Sequence, residues 1–179
     1  MITKTELDIG LITRPYQYVA HCVRSALCIS HNLRRWVGLV ICFDKIGPIS
    51  IHIDSGSIRY MGTDERSILL LLMKGQTTFL KRKQRAPAGL RISPSNAEET
   101  LSQLANEDAL LLFPGRSTNW ERTVRDFSRI VMYCPLSENP SLQWTNSFTG
   151  KHYNDYHRRD LAILAVLHKL DLIDWVKEK

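Results

Sequence analysis

The chain has no apolar run long enough to cross a bilayer. Ile68 to Met73, like every other apolar run, falls far short of the roughly 20 residues a spanning helix needs. The N-terminal stretch MITKTELDIG lacks the apolar core of a signal peptide, so a cytoplasmic location is expected. Cysteine is sparse. Cys22, Cys28, Cys42 and Cys134 form no C-x-x-C pair and read as reduced core thiols; no metal-ligand spacing is present. The chain also lacks G-x-G-x-x-G, a P-loop and G-x-S-x-G. Those absences argue against an ordinary Rossmann methyltransferase and against an NTPase. No repeat, low-complexity tract or linker interrupts it.

What is there is an ordinary globular composition with an excess of cations. The 179 residues are expected to form one domain, 1–179, large enough for a real core. The net charge of +6 suits a polyanionic partner, because cations that neutralise phosphates release counterions. A merely basic protein is the plain alternative.

Apolar residues at Val19, Cys22, Val23, Ala26 and Leu27 keep three-four spacing and predict a helix over 16–30, with Pro15 in its first turn. Val37 to Phe43 is a continuous apolar run, as in a strand covered on both faces. Ile49, Ile51 and Ile53 alternate with polar residues, the period of a half-exposed strand. Ile58 to Met61 reads as a short strand. Asp64 and Glu65 open a helix expected to stop at Gly75. Leu90–Ser93, Ala109–Phe113 and Arg129–Tyr133 read as strands and Asn96–Ala105 as a helix. Pro140–Gly150 reads as loop. A last helix, capped by Asn154 or Asp155, runs to about Leu170 with Leu161, Leu164, Ala165, Leu167 and His168 inward. Alternating strands and helices predict an α/β sheet with helices on both faces. Ligands in such sheets sit beyond the carboxyl ends of strands, here the loops 114–119, 135–139 and 148–155.

Three clusters carry chemistry. Arg34 and Arg35 present planar forks that match phosphate oxygens, with His31 beside them for a sugar or base. The same cations would also suit a helix C-terminus through its dipole. Lys81, Arg82, Lys83 and Arg85 form a second basic stretch, either a backbone contact or a solvated loop. It has no interleaved aromatic, which argues against a single-strand stacking platform there. Tyr153 to Asp160 (YNDYHRRD) gathers carboxylates, phenols and an imidazole at a helix start. Asp155 or His157 there could move a proton; a capped surface turn is the plainer reading. His21, His52 and His168 are isolated and read as structural.

In order, the chain runs through the helix YQYVAHCVRSALCIS, the corner His31-Asn32-Leu33-Arg34-Arg35, the strand VGLVICF and the start Asp64-Glu65-Arg66. That order resembles the tRNA pseudouridine N1-methyltransferase family of the SPOUT superfamily. PAGLRIS at 87–93, LLLFPG at 110–115, the strand 130–134 and the closing LHKLD resemble later elements of the same family. The resemblance implies an α/β fold with a C-terminal trefoil knot, usually as a homodimer. It implies S-adenosylmethionine held by knot-loop backbone, here at Leu112, Phe113, Gly115, Tyr133, Cys134, Leu136, Tyr153 and Asn154. It implies structured RNA, most plausibly tRNA, as substrate, and no membrane partner. Two loops depart from the family. Cys134-Pro135-Leu136-Ser137 stands for a glycine-rich loop, and 152–155 carries no glycine. These departures raise an alternative, a pseudoenzyme that keeps the fold and binds RNA or assembles with partners. A third reading is an unrelated basic α/β domain of a protein complex.

Overall fold

The computed structural model describes residues 14–30, 32–43, 47–59, 61–82, 85–115, 119–135, 149–154 and 158–172. The chain divides into two compact units, 1–97 and 98–179.

In the first unit, helix α1 (Arg14–Leu27) runs into a two-residue hairpin, β1 (Cys28–Ile29) with β2 (Asn32–Leu33). The expected helix over 16–30 thus starts and ends earlier. Ala20, Cys22, Val23, Ala26 and Leu27 form its buried face. Strands β3 (Gly38–Phe43), β4 (Ile49–Asp54) and β5 (Leu90–Ser93) form an antiparallel sheet in the order β3–β4–β5. Ile49, Ile51 and Ile53 are buried, as their alternation requires.

Helix α2 (Glu65–Leu80) is capped by the Asp64 carboxylate, which accepts from the Ser67 amide at 2.9 Å. It does not stop at Gly75. A Cβ at that position would lie 3.0 Å from Ile51 Cδ1, so the glycine brings the helix close to β4 instead of ending it. Ile58 and Arg59 belong to no strand, contrary to the periodicity. The Ile58 amide bonds back to the Asp54 carbonyl at 2.9 Å and closes a turn. Among unit-one side chains, His21 Nε2 lies 2.5 Å from Glu65 Oε1, tying α1 to the start of α2.

The second unit holds helix α3 (Ala97–Leu104, apart from its first residue), β6 (Ala109–Gly115), a short helix α4 (Trp120–Thr123), β7 (Arg129–Met132), β8 (Lys151–Asn154) and helix α5 (Arg159–Leu172). The strands are parallel in the order β7–β6–β8. Ala109 to Phe113 are all buried, as suits a central parallel strand. Leu101 of α3 packs with Leu111 and Phe113. Trp120 is fully buried, with Lys169 Nζ 5.6 Å from its ring centroid.

Two expectations fail in this unit. Lys151–Asn154 is a strand, where the sequence reads as loop and helix cap. In α5 the buried residues are Asp160, Ala162, Ile163, Val166, Leu167 and Leu170. Leu161 and Leu164 are 45% and 38% exposed, and His168 is exposed too. The helix is apolar on nearly every side, so spacing alone did not select its inner face. The helix opens at Arg159, so Asn154, which ends β8, does not cap it, and Asp155 lies outside the described residues.

Candidate active site and nucleic-acid interface

The parallel register fixes the geometry of the second unit. Leu112 pairs with Met132, and Gly115 with Asn154. The carboxyl ends of β6, β7 and β8 therefore reach the same end of the sheet. Six of the residues expected around the donor, Leu112, Phe113, Gly115, Tyr133, Cys134 and Tyr153, meet there, and Asn154 ends β8 beside Gly115. Leu136, Asp155 and His157 lie outside the described residues.

Side chains and backbone have separate jobs at this end. Leu112, Phe113 and Tyr153 are buried. The Tyr133 amide donates to the Leu112 carbonyl at 2.9 Å, extending the β6–β7 ladder. The Tyr153 hydroxyl donates to the Tyr133 carbonyl at 2.9 Å. Arg159 Nε donates to the Pro135 carbonyl at 3.1 Å. Burial pushes the Cys134 thiol up to about 11, against the lowering effect of Arg159. Burial likewise raises Tyr153, with Cys134 adding to the rise. Both are neutral near pH 7, and neither is set up as a nucleophile.

Gly115 is tightly packed. A Cβ there would lie 2.8 Å from His152 Nδ1 and 3.1 Å from Cγ. At the adjoining helix start, Asp160 is held below the ordinary carboxylate range. Burial pushes it up, but the Arg158 hydrogen bond, the Arg158 charge and the helix amides together outweigh that. Among the described residues, no group of three or more His, Cys, Asp and Glu is placed to hold a metal ion.

The basic residues separate into two kinds. Arg34 is only 9% exposed. Its Nη1 donates toward the carbonyls of Ser25, Ala26 and Cys28 at 3.0, 3.4 and 3.1 Å. Of the two readings open for this cation, the geometry carries the helix-end one. Arg35 is exposed, with one nitrogen on the Ser55 carbonyl at 2.8 Å. Lys81, Arg82 and Arg85 are also exposed. Arg82 takes a left-handed φ of 46° as the chain leaves α2. His31 and Lys83 lie outside the described residues.

Residues 15–118 match the model of a family described as "Putative SAM-dependent RNA methyltransferase", more than half of the chain. The chain belongs to that family. The match spans the first unit from near the start of α1, and the second as far as the end of β6. The ends of β7 and β8 lie beyond it. No curated protein matches the sequence. S-adenosylmethionine and RNA are thus the cofactor and substrate classes of the family. No helix among the described residues is long and apolar enough to cross a membrane.

The residues present suit the cofactor in kind. The strand ends offer backbone groups at one edge, and Gly115 has no side chain to project there. Sequence reasoning placed His152 and Arg159 within the candidate loop and cluster but gave neither a role of its own, and both touch this end. Nothing in their spacing marks them, because both act through partners brought by β6 and β7.

Proposed function

We propose that this chain is an S-adenosylmethionine-dependent methyltransferase acting on structured RNA, with tRNA as its substrate class, in the cytoplasm. The observation that carries the reading is the alignment of three parallel strand ends, in a chain of this family, around a glycine that cannot gain a Cβ without displacing His152. The cofactor, when bound, supplies an activated methyl group on its sulfonium. Backbone groups at Leu112–Gly115, Tyr133–Leu136 and Tyr153–Asn154 hold and orient it. The buried Leu112, Phe113 and Tyr153 keep water from below. Asp155 or His157 takes the proton if the accepting atom carries one. Arg35, Lys81, Arg82, Lys83, Arg85 and His31 draw the RNA in.

A SPOUT-like knot and a homodimer complete the proposal. The exposed Leu161 and Leu164 on α5 support pairing between copies, for which a two-fold arrangement is the commonest solution. Light scattering should then give about twice 20.6 kDa at micromolar concentration; a single-chain mass would remove the dimer.

A second reading rests on one observation. The Tyr133 and Pro135 carbonyls already accept from Tyr153 and Arg159. A donor site closed in this way belongs to a pseudoenzyme that binds RNA without methylating it. Titration calorimetry with S-adenosylmethionine, together with transfer of labelled methyl to bulk tRNA, separates the two. Binding and transfer support the enzyme. RNA binding with no heat from the cofactor supports the pseudoenzyme.

A further inference from the structure

We propose that Trp36 is a stacking residue for an unpaired base of the RNA, presented on a turn that the protein holds rigid. The proposal rests on the RNA reading above and adds to it the structural class of RNA. Arg34 to Val37 form a tight turn, closed by the Val37 amide on the Arg34 carbonyl at 3.2 Å, with Arg35 and Trp36 at its corner.

Both ends of that turn are anchored. The Arg34 amide bonds to the Leu27 carbonyl at 2.7 Å, and its guanidinium is buried on the carbonyls at the end of α1. The buried Ser55 hydroxyl lies 2.5 Å from the Arg34 and Val37 carbonyl oxygens alike. Arg35 reaches over to the Ser55 carbonyl at 2.8 Å. A turn tied at so many points keeps its corner in one place, and little ordering entropy remains to be lost on binding.

What the corner presents is chemically specific. Trp36 is 37% exposed, and Arg35 beside it is exposed as well. Ile29, on the hairpin just before, is 46% exposed. A partly open indole next to a cation matches the face of a nucleobase next to its phosphate. The nearby acid, Asp54, has its carboxylate oxygens occupied by the Gly56 amide and the Ser57 hydroxyl. A fully paired duplex hides its base faces, so the turn favours a loop or bulge. The basic stretch 81–85, without an aromatic, has no such selectivity.

The test compares binding of an RNA hairpin with an unpaired loop to binding of the blunt duplex of the same stem, by fluorescence anisotropy over a salt series. The wild-type chain should prefer the hairpin. Trp36→Ala should weaken hairpin binding about five- to a hundred-fold and erase the preference, with duplex binding unchanged. Its dependence on log salt should stay as in wild type, because an indole neutralises no phosphate. Trp36→Phe should retain most of the preference, whereas Trp36→Leu should behave like the alanine variant. A hairpin preference that survives Trp36→Ala or Trp36→Leu overturns the proposal and leaves RNA methylation standing. If the preference disappears in all three variants, phenylalanine included, the proposal is also overturned, because the substitutions then act by disturbing the turn and not by removing a stacked ring. If Trp36→Ala changes the mass in light scattering and not the RNA affinity, the ring is a protein contact and the proposal falls. Should the wild-type chain bind neither RNA, the RNA reading itself fails and takes the proposal with it.

Discussion

The hydroxyl of Tyr153, at the end of β8, donates to the backbone carbonyl of Tyr133, just past the end of β7, at 2.9 Å. The two strands are not neighbours in the sheet, because β6 lies between them. One buried phenol thus ties together the outer strand ends of the candidate donor site. Tyr153→Phe keeps the ring and removes the hydroxyl, with its bonds to the Tyr133 carbonyl and the Cys134 thiol. It should cost about 1–2 kcal/mol, since one hydrogen bond is worth about 1 kcal/mol net. Cofactor affinity should fall with it, as the Tyr133–Pro135 segment loses its anchor. Denaturant unfolding and calorimetry on the same variant measure both.

Gly115→Val should remove cofactor binding while the fold persists. The added Cβ meets an imidazole, and His152 is exposed enough to swing aside without breaking the core. Circular dichroism should be unchanged where calorimetry reads no heat. Cofactor binding at wild-type strength would place the donor elsewhere.

Arg34 and Arg35 should part company on substitution. Arg35→Ala should lower the slope of log affinity against log salt by about one unit, as expected when one phosphate is no longer neutralised. Combined Lys81, Arg82, Lys83 and Arg85 substitutions should lower it further. Arg34→Ala should instead lower the melting temperature, because the carbonyls at the end of α1 lose their buried donor. An Arg34 variant of normal stability with a flattened salt slope would return that residue to the RNA face.

Gly75→Leu should destabilise the first unit. Ile51 Cδ1 already sits 3.0 Å from where a Cβ would be, so a larger side chain must push α2 off β4. Overpacking of this kind costs about 1–3 kcal/mol. Thermal unfolding checks it, and a variant as stable as wild type would mean that the helix has room to shift.

His52 should make stability fall in mild acid. Burial first, and the Arg91 cation beside it second, hold His52 below the ordinary imidazole range. The unfolded chain then takes up the proton more readily than the folded one. Stability from this source is complete above about pH 6.5 and is lost as pH falls toward the lowered folded value. His52→Gln, which can still bond to Ser50, should flatten the melting temperature between about pH 7 and 5. An unchanged pH profile would assign the acid sensitivity to other groups.

Local pattern was enough for three elements of the first unit. The three-four spacing of α1, the alternation of Ile49, Ile51 and Ile53, and the acidic start of α2 are short-range signals, and the elements formed where they lie. The order of motifs through Gly115 also pointed to an RNA methyltransferase, the activity class of the family that residues 15–118 match. Other features depended on residues distant in sequence. Gly75 looks like a helix stop until Ile51 is known to face it. Lys151–Asn154 is too polar to announce a strand and becomes one by pairing with β6. Arg34 looks like a phosphate ligand until the carbonyls of Ser25, Ala26 and Cys28 close on it. An apolar α5 gave no phase, and neighbouring elements chose which leucines were covered. Periodicity reports which residues share a face. Only the packed chain decides what that face meets, and the candidate donor site is made almost wholly of such meetings.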